Sequence, residues 1–426
     1  MKYAALLGFG VVGSGTAEVL THNRALIEAR VGEPIRIKYI LDLRDFPDSP
    51  FRNLITHDFQ VILNDPEVSV VAEMMGGAHP AYDFTKALLE AGKSVVTSNK
   101  EVVANFGTEL LKIAKENRVS YMFEASVGGG IPIIKSLREG LVGNRINRIY
   151  GILNGTCNYI LTRMERDQAD FKEVLADAQK LGYAEANPSL DVDGFDTAHK
   201  ATIAASLAYG DWFGMDPVYV EGITGITLDE IKLTKELGYK IKLLAIIKQN
   251  EGNVEIRVHP TLIPKHSMLA KVDDVFNAVL VNGDFVDDAL FYGRGAGRNA
   301  TASAVVADIT DVCLNLTAGS SRRIPGFVAG NLYKKVLPID NVWSRYYLSL
   351  QVADEPGVLA KITNILAAYN ISISSVVQKE RKGTENVTLV ILTHLCEEKN
   401  MKAAIVEINA LAEVRNNVKF IRIEDL

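Results

Sequence analysis

Cysteine is scarce in this chain, with three in 426 residues, at positions 157, 313 and 396. An odd number so widely spaced makes neither a disulfide framework nor a paired-cysteine zinc site, and it fits a reducing compartment, so a cytoplasmic location is expected. No long run of one charge is present. A formal net charge of -6, from 46 basic and 52 acidic residues, offers no basic surface to nucleic acid or to an acidic membrane. No apolar run reaches the ~18 to 20 residues that a membrane-spanning helix requires. The opening MKYAALLGFGVVGSG imitates a short signal peptide, but its glycines and the amphipathic pattern after them read as a strand, a turn and a helix. The expected partner is a small-molecule substrate, with no nucleic acid and no membrane.

What is present is enough apolar residue, 48%, to bury sizeable cores, and the length implies two or three domains. Residues 1–130 alternate short β-rich runs (YAALL, IRIKYIL, VSVVAEMM, KSVVTS) with helix-like segments. That alternation predicts an α/β fold, a Rossmann-type doubly wound parallel sheet. Residues 131–320 mix helical patterns such as DFKEVLADAQKLG with β-rich runs such as NRIYGILNG, and read as an α+β substrate and dimerisation domain. Its end is expected to pack back on the first domain. A stretch rich in proline and glycine, 321–343, reads as a connector. From 344 to 426 the pattern restarts as an independent βαββαβ unit, the ferredoxin-like order.

Gly8, Gly10 and Gly13 form G-x-G-x-x-G between a strand-like and a helix-like run. With Phe9, Val11 and Val12 they make a loop whose glycines permit a tight turn and a close approach of pyrophosphate, at a helix N-terminus that favours anions. NAD or NADP is the expected cofactor. At the end of the second strand Asp42 would accept from ribose hydroxyls and favour NAD, whereas Arg44 would face a 2'-phosphate and favour NADP; the reading leans to NADP. Gly76 and Gly77, then Thr97, Ser98, Asn99 and Lys100, fall where strand ends should meet the nicotinamide.

The stretch NPSLDVDGFDTAHK (187–200) sets three aspartates before a lysine. It is not a calcium loop, because the position twelve along from Asp191 is Thr202 and the glycine comes too early. Lys200 opens the apolar helical run ATIAASLAYG, and Asp196 stands i, i+4 to it. A lysine held at the edge of a buried helix can hand a proton to a developing alkoxide. Burial lowers its pKa and neighbouring acids raise it.

The longer segment Ala178 to Lys200, AQKLGYAEANPSLDVDGFDTAHK, resembles the homoserine dehydrogenase signature at Ala178, Gly182, Tyr183, Ala184, Asn187, Pro188, Asp191, Val192, Gly194, Asp196 and Lys200. The likeness extends over residues 1–320 through VVTSNK, YMFEASVGGGIPII, GILNGTCNYIL and FYGRGAG. It implies a reversible, NAD(P)-dependent reduction of L-aspartate 4-semialdehyde to L-homoserine, in the biosynthesis of threonine, methionine and isoleucine. By the same resemblance Lys200 is the proton donor and Lys100 its partner beside the nicotinamide. Glu185 binds the substrate's amino group, and Asp191 and Asp196 line the site. EASVGGGIP would hold a sodium ion through the backbone carbonyls of Glu124, Val127, Gly129 and Ile131; read bottom-up, the same glycine-rich loop could be a phosphate cradle or a hinge. Cys157 reads as a small buried hydrophobe. In GRGAGRNAT (293–301) the residues RNA stand where the family pattern leads one to expect glycine and proline.

ADEPGVLAKI resembles the opening of an ACT domain, with Asp354 and Gly357 at a turn suited to an amino-acid effector, threonine first. A homodimer or homotetramer is expected, and no fused aspartate kinase. The rival readings are a catalytically silent sensor of NAD(P) and amino acids, and a dehydrogenase of another small aldehyde.

Overall fold

The computed structural model describes residues 1–250, 252–320, 327, 335–379 and 386–426. Most of the connector read at 321–343 lies outside them. Six strands, β1 (Lys2–Leu7), β2 (Ile35–Leu41), β3 (Ile55–Thr56), β4 (Val68–Glu73), β5 (Ser94–Thr97) and β6 (Tyr121–Met122), pair in parallel in the order β3-β2-β1-β4-β5-β6. The strand order reverses between β1 and β4, and the crevice outside their carboxyl ends is where such sheets take ligands. The strands are continuous apolar runs because helices cover both faces; Ala4, Ala5, Leu6 and Leu7 are wholly buried.

The helix Arg298–Thr317 returns to this sheet, as expected for the end of the middle segment. Its Val305, Ile309 and Val312 share a core with Leu6, Val70 and Val96. It crosses the helix Val11–His22 at Gly15, where a Cβ would stand 3.0 Å from the Arg298 carbonyl oxygen.

A second sheet is built from β7 (Ile146–Ile152), β8 (Tyr219–Val220), β9 (Tyr239–Asn250), β10 (Asn253–Pro264), β11 (Phe276–Gly283), β12 (Asp287–Arg294), β13 (Trp343–Ala353), β14 (Ile373–Lys379), β15 (Asn386–Thr393), β16 (Cys396–Glu397) and β17 (Lys419–Ile423). The main path runs β12-β11-β7-β9-β10-β17-β13-β15-β14. Its last four strands are the ferredoxin-like sheet read from the sequence, with Leu348, Leu350 and Val352 packed against Ile362 and Leu366 of one helix and Met401 and Ile405 of the other.

That unit joins the rest of the second sheet at one edge. β17 pairs in parallel with β10 through Thr261↔Arg422 and Leu262↔Ile423, so the two sheets are one. Beneath the seam lies a buried charge network. Arg422 Nε donates to Glu398 Oε2 at 2.9 Å and Nη1 to Glu221 Oε2 at 2.8 Å; Arg257 Nη2 and Lys248 Nζ each reach Glu424 at 2.6 Å, and Tyr150 Oη donates to the same carboxylate at 3.0 Å. Arg422, Glu398, Arg257 and Glu424 are buried and would be costly there alone, and each has a partner. Among the described residues no helix is long and apolar enough to cross a membrane.

Candidate active site

The first turn behaves as its glycines require. Gly8 has φ +92°, and a Cβ there would lie 3.0 Å from the Met74 carbonyl oxygen; on Gly13 a Cβ would lie 2.0 Å from the carbonyl oxygen of Gly8. At Gly10 a Cβ would meet no protein atom within 4 Å. Gly10 is therefore free of packing constraint and borders open space, as a residue facing a phosphate would. It is the N-cap of the helix Val11–His22 and supplies no side-chain cap, which leaves the first amides for an anion. Val11 is exposed beside it, Val12 is half-buried, and Phe9 is anchored edge-on against Phe46 with centroids 4.9 Å apart. The loop thus fits a dinucleotide.

Asp42 does not stand open beside this loop. Its Oδ2 accepts from the Phe9 backbone N–H at 2.8 Å, and its Oδ1 accepts from both the backbone N–H and Nε of Arg44 at 3.0 Å. Burial works to raise its pKa, but Arg44 and these N–H groups outweigh it and hold the carboxyl down at about 2. The Arg44 side chain is exposed and lies 5.0 Å over the Phe46 ring.

At the carboxyl ends of β4 and β5, Thr97 Oγ1 donates to Glu73 Oε2 at 2.6 Å and the Ser98 N–H to the Glu73 carbonyl at 3.2 Å. Glu73 is fully buried, and burial raises its pKa to about 7. Asn99 caps the helix Lys100–Glu116 by accepting from the Val102 N–H, while its Nδ2 donates to the Gly77 carbonyl at 2.8 Å, shaping the turn that carries Gly76. Asn99 was placed at the nicotinamide side from the sequence, but Glu73 was not singled out. Glu73 ends an apolar run, and a carboxylate there is the signal that could have been read.

The helix that carries Lys200 runs Phe195–Tyr209, with Asp196 and Lys200 on its first turns. Gly194, at φ +90°, makes the entry turn and packs against Val220 and Val258. Lys200 Nζ donates to the Leu153 carbonyl and to Asp196 Oδ2, both at 2.7 Å. Lys100, on the first turn of its own helix, pairs with Asp196 Oδ1. One buried carboxylate thus joins two lysines that stand 100 positions apart in the chain.

Asn154 completes the group. Its Nδ2 donates to Asp191 Oδ1 at 2.7 Å and to Asp196 Oδ2 at 2.8 Å. Burial presses the Asp196 pKa upward, but Lys200 and Lys100 outweigh it and the carboxyl is held below its ordinary range. Asp191 moves the other way, raised by burial and by the charge of Asp196. Burial lowers Lys200, and Asp196 only partly opposes this. Burial lowers Lys100 as well, but Asp196, with Asp191 and Glu185, more than restores it. Glu185 is exposed, near enough for its charge to act on Lys100. Cys157 is the buried hydrophobe expected; burial raises its thiol far above the ordinary value, and Sγ donates to the Asp191 carbonyl at 3.1 Å.

The glycine loop at 127–131 turns tightly through Gly128 (φ +73°) and Gly129 (φ +54°). The second glycine turn closes on it, since a Cβ on Gly129 would lie 2.5 Å from the Gly295 carbonyl oxygen. Of the four candidate carbonyl ligands, that of Ile131 accepts from the Ile133 N–H at 2.8 Å and that of Glu124 from the Val127 N–H at 3.4 Å. A carbonyl has two lone pairs, so each retains one for a cation. The Glu124 carboxylate is buried and accepts from the N–H groups of Ile134 and Lys135. Arg298 pairs with Glu18 at 2.6 Å, on the side of the first helix.

In the C-terminal unit Asp354 and Gly357 border a groove of about 440 Å³ with Ala353, Pro356, Gln378 and Leu389. Gly357, at φ +92°, precedes the helix Val358–Ala368 without a side-chain cap.

Three family models match: "Homoserine dehydrogenase, NAD binding domain" at residues 8–124, "Homoserine dehydrogenase" at 132–310 and "ACT domain" at 346–413. The homoserine dehydrogenases of Neisseria gonorrhoeae and Pseudomonas aeruginosa are each 43% identical, covering 99% of this chain and 98% of their own. A crystal structure of a homoserine dehydrogenase from Thiobacillus denitrificans superposes with a TM-score of 0.93 at 44% identity, covering 100% of this chain and 98% of that one. A hyperthermophilic archaeal homoserine dehydrogenase in complex with NADPH, 27% identical, matches over 74% of this chain and 98% of its own with a TM-score of 0.64. The matching family models and the relatives that cover nearly the whole chain show that it belongs to the homoserine dehydrogenase family, oxidoreductases with an NAD-binding domain, here joined to an ACT domain.

Proposed function

We propose that this site interconverts L-aspartate 4-semialdehyde and L-homoserine, with Lys200 as the acid and base. The observation that carries the assignment is the Lys200 ammonium, which spends two N–H bonds on Leu153 and Asp196 and keeps the third for a substrate oxygen. When bound, the reduced nicotinamide supplies the hydride. As the aldehyde carbon gains it, the C=O pair moves onto oxygen and Lys200 delivers the proton; in the reverse direction Lys200 takes that proton back. Burial makes the ammonium a readier donor than a solvated lysine. Lys100 shares Asp196 and supplies a second positive charge beside the developing alkoxide. Glu185 and Asp191 receive the substrate's amino group.

The residues Gly8 to Gly13 would hold the pyrophosphate, and Gly76, Thr97, Ser98 and Lys100 the nicotinamide side. NADP is the favoured cofactor because both Asp42 oxygens are already engaged and the guanidinium of Arg44 is exposed. We assign a sodium ion to the carbonyls of Glu124, Val127, Gly129 and Ile131, as a structural element of the tight turn. We divide the chain at 130, 320 and 343, assign threonine to the groove at Asp354 and Gly357, and expect a cytoplasmic homodimer or homotetramer. Saturating threonine that altered neither activity nor thermal stability would remove the effector.

The test follows NADPH and NADH absorbance with aspartate semialdehyde, for the protein and for Lys200→Ala. Turnover by the wild type and its loss in the variant is the expected pair. Equal rates would end the role of Lys200, and no rate in either would favour the silent sensor.

A further inference from the structure

Asn154 stands where β7 ends, and it is nine-tenths or more buried. Its orientation follows from its surroundings. As N-cap of the helix Gly155–Asp167, its Oδ1 accepts the Cys157 backbone N–H at 2.8 Å. Reversing the amide would set NH2 against that N–H and oxygen against two carboxylates, so both amide hydrogens must point to the acids. One goes to Asp191 Oδ1 at 2.7 Å and the other to Asp196 Oδ2 at 2.8 Å.

We propose that Asn154 is a positioning residue for the reaction: its amide clamps the two like-charged carboxylates into one frame, with Asp196 turned to both lysines and Asp191 turned to the cleft. The inference rests on the assignment of Lys200 as proton donor. Two carboxylates this close repel, and one of them would turn away or take up a proton. The lysines do not hold both, because each pairs with Asp196 and neither with Asp191. Among the described residues Asp191 Oδ2 takes no hydrogen bond, and Asp191 is partly open to solvent. Asn154 is the group that keeps that second oxygen on the substrate side. The preceding residue contributes as well: Leu153 offers Lys200 its carbonyl, so residues 153 and 154 present one acceptor to the base and two donors to its acids.

Three variants separate this role from helix capping. Asn154→Asp keeps the cap acceptor but sets a third carboxylate against Asp191 and Asp196. Asn154→Ser keeps the cap with at most one donor, and Asn154→Ala loses both. The expectation is a fall in kcat of roughly 10- to 100-fold for all three, the worth of hydrogen bonds to charged groups, with the KM for the coenzyme within about twofold of wild type. For Asn154→Asp the deficit should shrink as pH falls from 8.5 to 6, because one bridging proton relieves the repulsion. A deficit in Asn154→Ala alone, tracking its melting temperature, would mean capping only and would overturn the proposal. Crystal structures of Asn154→Asp and Asn154→Ala give an answer independent of turnover: Asp191 displaced supports the clamp, and Asp191 and Asp196 unmoved sinks it. Absence of wild-type turnover would count against the reaction assigned above, while those structures would still decide the clamp.

Discussion

Lys200 Nζ lies 2.7 Å from Asp196 Oδ2, one helical turn away, with about a tenth of the lysine side chain exposed. Burial pulls the lysine pKa down, Asp196 pulls it up, and burial prevails. With Lys200 as the proton donor proposed above, reduction would need its protonated form, so the rate should fall as pH rises through a value below that of an ordinary lysine. Oxidation requires the neutral form and should rise through the same point. In Lys200→Ala both limbs should vanish and kcat should drop by about 10²- to 10⁴-fold, with coenzyme affinity kept. Full pH–rate profiles in both directions provide the check.

Gly10 and Gly13 should respond differently to the same methyl group. In Gly13→Ala it meets the Gly8 carbonyl oxygen at 2.0 Å, and the strain should lower stability by about 1–3 kcal/mol. In Gly10→Ala it meets no protein atom within 4 Å, so the melting temperature should hold while coenzyme affinity falls about tenfold or more. Calorimetry with and without coenzyme distinguishes the two; a Gly10→Ala variant that binds normally would refute the phosphate contact.

Glu73 makes stability depend on pH. Its folded pKa, about 7, is above the ordinary 4.5, so the folded state keeps a proton that the unfolded chain releases between those values. The associated stability is present below pH 4.5, declines as pH rises through this window and is gone above about 7. At ~1.36 kcal/mol per unit the change is on the order of 3 kcal/mol. Glu73→Gln should flatten this part of the curve, as read from urea unfolding of the coenzyme-free protein across pH 4 to 8.

Arg44→Ala should separate the two coenzymes. If the guanidinium meets a 2'-phosphate, the KM for NADPH rises about tenfold or more and that for NADH changes less than about twofold. Equal effects on both would leave Arg44 as the partner of Asp42 and nothing more.

Arg422→Leu should destabilise the protein by roughly 3–5 kcal/mol, because Glu398, wholly buried, loses the charge that faces it. Denaturant unfolding measures this. A loss under ~1 kcal/mol would show the seam to be wetter than its burial implies.

Much of this was legible in the sequence because it is written in local patterns. The alternation of strands and helices, the G-x-G-x-x-G turn and the Asp196 to Lys200 spacing each fall within a few residues. Contacts across the chain were not legible. Asn154 and Asp191 are 37 positions apart, and nothing near either names the other. Arg257 and Arg422 sit in alternating strands, where a charged residue ordinarily faces water. Arg422 is met there by Glu398, Tyr219 and Glu221, and Arg257 by Glu424, all distant in the chain. Glu73 was hidden by its neighbours, since the residues before it are apolar for the sheet's sake and gave its charge no separate signal.

The pairing of β10 with β17 limits how an effector could act. Side chains alternate along a strand, so a slip of one residue at Thr261↔Arg422 would turn Arg422 from Glu398 to the opposite face. A slip of two would put Phe420 or Glu424 where Arg422 now pairs. Sliding is therefore quantised and costly, and the ACT sheet is left with rotation about the short seam as its soft coordinate. Such a rotation bears on Glu221, which Arg422 holds at 2.8 Å, and the next residues, Gly222 and Ile223, pack on Val192 and Asp193 beside Asp191. A signal from the C-terminal unit would arrive at the lysines as torque.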